Sequence, residues 1–206
     1  EKNKQLGLIV YVYPSVDFFQ GRRLLGFAST IRQIPLANGE VVKTSGREII
    51  LADILAAVLS DGPIATLASF IGVLILVVFA FRRFRERIVV IVSLLLGVIW
   101  MCGVAAALGI KVNMLNFVAL PITFGIGVDY PVNVYRRYIE EGPLEMGRAL
   151  WSTGGAVALC SLTTTIGYSS LLFADTRALN SFGLLAVVGE ITTLLAALIW
   201  MPAIVH

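Results

Sequence analysis

Asp129 is the residue whose position most constrains what this chain can do. It stands inside the run NMLNFVALPITFGIGVDYPVNVYRR, Asn113 to Arg137, which has the length and apolar density of a bilayer-spanning helix. Placing an Asp at the centre of such a helix costs about 2.5–3.5 kcal/mol on insertion scales, so an acid there normally faces a protein interior or a water-filled path. Tyr130 follows it with a hydroxyl that can donate to a carboxylate. A carboxyl in a wet, partly shielded site with a hydroxyl beside it can take up and release protons, which is proton-relay chemistry. The spacing puts Gly125, Asp129 and Asn133 on one helix face. Pro131 has no N–H, so the Gly127 carbonyl loses its helical partner next to the acid, and Pro121 does the same to Phe117. Gly125, Gly127 and Pro131 therefore mark a helix that either bends as the acid changes charge or carries a static kink. The sequence leaves the two alternatives open.

Other polar groups reach a similar depth on other apolar runs. Ser161, Thr164, Thr165 and Tyr168 are related by i+3 and i+4 steps and form a stripe. They read either as support for the relay or as hydroxyls bonded back to their own helix carbonyls, which is common in membrane helices. Glu190 lies near the centre of the last run, as a second relay member or as a protonated acid bonded to a backbone carbonyl. Other chemistries lack their residues. His206 is the lone histidine, and no Ser-His-Asp set, phosphate loop or metal-ligand cluster is visible. The expectation is a protein that is not an enzyme, with no metal and no cofactor. Cys102 and Cys160 both lie in apolar runs, so a disulfide framework is unsupported.

The elements that position these residues follow from composition. Hydrophobic residues make up 58% of the chain and charged residues 14%, against roughly 45–50% and 25% in soluble domains. This predicts a mainly α membrane protein, embedded in a lipid bilayer, whose slight positive charge says nothing of nucleic acid. Five spans are expected at about 63–81, 88–108, 114–135, 150–173 and 182–205; a ~30 Å hydrocarbon core needs about 20 residues. Residues 1–62 read as a soluble α+β piece. Leu8 to Tyr13 predicts a strand and Asp17 to Ile34 a helix stopped by Pro35. A turn at Asn38-Gly39, a short strand near Val41-Val42 and a helix from Thr44 or Ser45 to Asp61 complete it. One full strand, a short second one and two helices cannot close a core at this size, so the piece is expected to be the end of a larger domain, and the chain part of a longer protein. Arg82 to Arg87, with Arg136, Arg137 and Arg148, lie between alternate spans. The positive-inside rule puts these loops in the cytoplasm, residues 1–62 outside and the C-terminus inside. Phe18, Phe19 and Phe27 are weak candidates for a substrate lining and more plainly core residues.

The run GIGVDY, Gly125 to Tyr130, continuing into Tyr135-Arg136-Arg137, resembles the tenth transmembrane helix of the resistance–nodulation–division (RND) superfamily, closest to its MMPL-type and hopanoid-exporter branch. Ser161 to Val205 resembles that branch's last two helices, including the Met201-Pro202-Ala203 close. The resemblance implies the C-terminal bundle of a proton-motive-force-driven exporter of lipids or other hydrophobic substrates in the bacterial inner membrane, with residues 1–62 periplasmic. It implies an N-terminal half, absent from this chain, whose own Asp-Tyr pair faces Asp129 and Tyr130. A homo-oligomer is also compatible with it. The alternatives are a SecD/SecF-type protein-export subunit and a sterol-sensing-type lipid-binding protein that does not pump.

Overall fold

The computed structural model describes residues 10–12, 21–36, 39–111, 113, 115–142 and 146–205. Two compact units divide the chain, residues 1–58 and 59–206.

In the first unit, helix α1 (Gly21–Ile31) is followed by an antiparallel pair, β1 (Gln33–Pro35) and β2 (Val41–Lys43), in which Ile34 lies opposite Val42. Leu24 and Ala28 of α1 pack on Ala52. The Thr44 hydroxyl donates to the Ile31 carbonyl at the end of α1 (2.5 Å). Pro35 is thus the last residue of a strand and does not stop the helix, which ends at Ile31. A strand end tolerates a proline because it asks for no further ladder donor. The strand near Val41 is present. Residues 10–12 are exposed and pair with no strand among the described residues, and the rest of the strand expected at 8–13 lies outside the described residues, as do Asp17, Phe18, Phe19 and Asn38.

Five helices are long and apolar enough to cross a membrane: Arg47–Ala80, Phe84–Ala107, Asn116–Glu141, Met146–Phe173 and Arg177–Val205, here spans one to five. Span one is a single helix of 34 residues in which the expected break at Asp61-Gly62-Pro63 does not occur. Pro63 removes the bond to Leu59, a loss that membrane helices tolerate. One turn on, the Thr66 hydroxyl donates to the Gly62 carbonyl (2.9 Å).

Span two also starts early, because Arg85, Glu86 and Arg87 form its first turn instead of a loop. The Glu86 carboxylate accepts the Arg83 N–H (3.2 Å), satisfying a donor at the helix start. Arg87 turns back and donates to the Phe81 and Val78 carbonyls (2.9 and 3.1 Å), which closes the C-terminal end of span one.

Span five is the hub. Half of its most apolar window is buried, against 11% for spans one and four. Its inner face is built from small and polar residues, Gly183, Ala186, Gly189, Glu190, Thr192 and Thr193. Small residues let membrane helices approach closely, which matters where lipid is as apolar as the core. A side-chain carbon on Gly97 of span two would come within 2.7 Å of Thr193 Cα, and one on Gly189 within 2.6 Å of the Thr123 hydroxyl of span three.

Candidate functional site

Span three is not one regular helix. A 3₁₀ turn (Asn116–Val118) leads into an α-helix (Ala119–Gly127), and a second α-helix runs from Asp129 to Glu141. The helical ladder is interrupted at Val128, whose backbone stays right-handed (φ −68°, ψ −27°). Pro131 supplies the cause, since it has no N–H to return to Gly127. The Asp129 carbonyl receives the side-chain amide of Asn133 (2.8 Å).

Asp129 and Tyr130 turn to different sides. Tyr130 is 2% exposed, and its hydroxyl donates to the carboxylate of Glu190, itself 4% exposed on span five. The bond joins the centres of two spans. Pro131 is fully buried behind it. Asp129 instead lies on an exposed stripe with Val118, Gly125 and Asn133, and its carboxylate has no side-chain partner among the described residues.

Gly125 opens onto the same stripe, with nothing within 4 Å of where a side chain would begin. Gly127 faces inward, where Thr193 Cγ2 stands 2.9 Å from that position. The expected face of Gly125, Asp129 and Asn133 is therefore real, and it points away from the five-span bundle.

The span-four stripe is placed unevenly. Ser161 is buried, Thr164 and Thr165 are half-buried, and Tyr168 meets Phe182 of span five edge to face at 6.1 Å. The Thr164 hydroxyl donates to the Cys160 carbonyl (3.1 Å), and none of the four hydrogen-bonds to Asp129 or Glu190 among the described residues.

Three features had no clear sequence signal. Wide π-helical turns occupy Leu150–Gly154 in span four and Ala196–Trp200 in span five, and both pack on the Asp129–Glu141 helix. The Ala196 carbonyl accepts the buried Ser93 hydroxyl of span two (3.1 Å). The third feature is Thr193, whose hydroxyl stays on its own helix, donating to Gly189 and Glu190 carbonyls (2.8 and 3.1 Å). Its methyl is then free to pack between Gly97 and Gly127. Pro202, soon after the second wide turn, was the one available hint of irregularity there.

No group of His, Cys, Asp and Glu among the described residues is arranged to hold a metal.

The profile of the MMPL family matches residues 23–206. The chain belongs to the MMPL family. It is 27% identical over 146 residues to a protein of Methanocaldococcus jannaschii named as a membrane protein, an alignment covering 68% of this chain and 38% of that one. It is 27% identical over 206 residues to the hopanoid transporter HpnN of Rhodopseudomonas palustris, covering 98% of this chain and 22% of the transporter. It is 24% identical over 187 residues to MmpL12 of Mycobacterium tuberculosis, named as a transport protein, covering 86% of this chain and 16% of that protein. This chain thus spans well under half the length of each of these curated relatives. Its five spans and family membership make it part of a multi-pass membrane protein.

Proposed function

We propose that this chain is the C-terminal membrane bundle of a proton-driven exporter of lipids or other hydrophobic molecules, and that Asp129 and Tyr130 are its share of an intramembrane proton relay. The observation that carries this reading is the opposed placement of two adjacent residues. Tyr130 is locked inward onto Glu190, while Asp129 stands on the open stripe with Gly125 and Asn133. A carboxylate facing acyl chains is costly, and a second helical bundle laid over the stripe would enclose it. An N-terminal half with its own spans is the natural cover, and the names of the relatives favour transport.

In this scheme the Arg-rich connections lie in the cytoplasm, residues 1–62 in the periplasm and the C-terminus inside, in a bacterial inner membrane. Asp129 takes a proton from the periplasmic side and loses it to the cytoplasm. Glu190 holds Tyr130 in place, and Ser161, Thr164 and Thr165 line the approach from span four. The ladder interruption at Val128 lets the Asp129–Glu141 helix shift against Ala119–Gly127 as the charge changes. Gly125 leaves room on the contact face and Gly127 keeps the upper helix tight on Thr193.

The test is Asp129→Asn in the full-length protein, reconstituted in vesicles with an imposed pH gradient and followed by lipid export. The expected result is loss of gradient-dependent export at normal expression. Unchanged export would sink the relay. Lipid binding with no dependence on the gradient in the unsubstituted protein would favour a sterol-sensing-type binder, and gradient-driven export of polypeptide a SecD/SecF-type subunit.

A further inference from the structure

At the end of the bundle where spans one and two connect, two cavities of about 390 and 550 Å³ adjoin. They share Arg83, Glu86 and Ile139 as a common wall. Arg85 and Tyr135 line the smaller, and Arg82 and Arg136 the larger.

The positive charge here is only partly answered. The Glu86 carboxylate accepts the Arg83 backbone N–H and stands 3.9 Å from the Arg83 guanidinium. Glu140 is shared between Arg136 (3.8 Å) and Arg137 (3.6 Å). Arg87 is spent on the carbonyls of span one. Arg82 and Arg85 are exposed and form no ion pair among the described residues. Beside them the surface is apolar: Phe84 is 73% exposed, Ile139 45% and Ile88 43%. Free guanidinium groups over hollows, with exposed apolar side chains alongside, match an amphiphile better than a soluble anion.

We infer that this end of the bundle binds an anionic phospholipid of the surrounding bilayer, one with two phosphates, seating one in each cavity on either side of Arg83. The guanidinium fork suits phosphate oxygens, and basic pockets at the ends of membrane helices are suited to such headgroups. Arg82 and Arg85 supply the unspent charge, while the acyl chains run along Phe84, Ile88 and Ile139. The site depends on membrane embedding alone and not on the relay.

The test uses the full-length protein in nanodiscs of phosphatidylcholine doped with either cardiolipin, which has two phosphates, or phosphatidylglycerol, which has one. Native mass spectrometry reads the retained lipid. Cardiolipin should be enriched over phosphatidylglycerol. Arg82→Gln with Arg85→Gln should cut cardiolipin retention by roughly 30-fold, the combined effect of two arginines at a charged membrane surface. Arg22→Gln, on exposed α1, should change nothing. Arg82→Lys with Arg85→Lys keeps the charge and guards against misfolding; it should retain less cardiolipin than the unsubstituted protein. Equal enrichment of the two lipids, unchanged retention in the double Gln variant, full retention in the double Lys variant, or displacement by millimolar inorganic phosphate would each overturn the inference.

Discussion

Thr193 offers the sharpest test of how the bundle is built around the site, because two glycines meet it in different ways. A Cβ on Gly127 would lie 2.9 Å from Thr193 Cγ2, 3.1 Å from its Cβ and 3.3 Å from Leu94 Cδ1. A Cβ on Gly97 would lie 2.7 Å from Thr193 Cα and 2.9 Å from Cγ2. Overpacking of this kind costs about 1–3 kcal/mol, partly offset by the roughly 1 kcal/mol that Ala gains over Gly inside a helix. Each Gly→Ala substitution alone should therefore destabilise by about 0–2 kcal/mol, which by itself decides little. The combination with Thr193→Ser does decide. Serine keeps the hydroxyl that donates to the Gly189 carbonyl and removes only Cγ2, the nearest atom to a Cβ on Gly127. Gly127→Ala should then be relieved by about 1 kcal/mol in the Thr193→Ser background, while Gly97→Ala, still 2.7 Å from Thr193 Cα, should be relieved by much less. The assay is reversible unfolding of the full-length protein in mixed micelles, read as a double-mutant cycle for each glycine. Equal relief at the two glycines, or none at Gly127, would refute the placement of span five between spans two and three.

Tyr130→Phe leaves a buried carboxyl without its donor, at a cost of about 1–3 kcal/mol. Its cycle with Glu190→Leu should give a coupling of about 0.6–1.7 kcal/mol, the range for hydrogen bonds between membrane helices, and additive unfolding energies would show that the pair does not exist. Arg87→Gln should loosen the connection between spans one and two by about 1–3 kcal/mol, since a charged donor to the Phe81 and Val78 carbonyls is lost. Arg87→Lys should recover only part of that, because an ammonium lacks the planar fork that reaches two acceptors; hydrogen exchange at the end of span one would report it.

The sequence made the spans legible because bilayer thickness sets a minimum length and charge is excluded from the interior, so five apolar runs and their Arg-rich joints stand out. Their ends were less legible. Pro63 looked like a stop, but one missing ladder bond does not end a 34-residue apolar helix, and it continues. Arg85 to Arg87 looked like a loop, but the Glu86 carboxylate starts a helix there. Pro35 looked like a helix stop and is the end of a strand. The wide turn at 150–154 left no readable mark, and the one at 196–200 left only Pro202 just beyond it, since both are set largely by packing. Which face of each span is inward was hidden for a physical reason. Lipid and protein core are similarly apolar, so the periodicity that reveals the buried side of a soluble helix is weak here. Small residues such as Gly183, Ala186 and Gly189 of span five, Gly97 of span two and Gly127 of span three carry that information, the glycines through close approach.

That blind spot matters most at Asp129 and Tyr130. Neighbours on a helix diverge by about 100°, so they cannot both point at one partner on one side. Read as a sequence, the pair suggests a carboxyl and a hydroxyl working on each other. In the fold, Tyr130 is committed to Glu190 and Asp129 to a face with no occupant among the described residues. A carboxyl on that open face makes little energetic sense against lipid and good sense against another bundle. The consequence separates the two residues experimentally. On the proposed reading, Tyr130→Phe should lower bundle stability in the bilayer whether or not the other half is present, whereas Asp129→Asn should leave the unfolding energy of this bundle nearly unchanged and act on export alone. If Asp129→Asn instead destabilised the bundle as much as Tyr130→Phe, the carboxyl would have a partner within these five spans, and the case for a joint between two halves would fail.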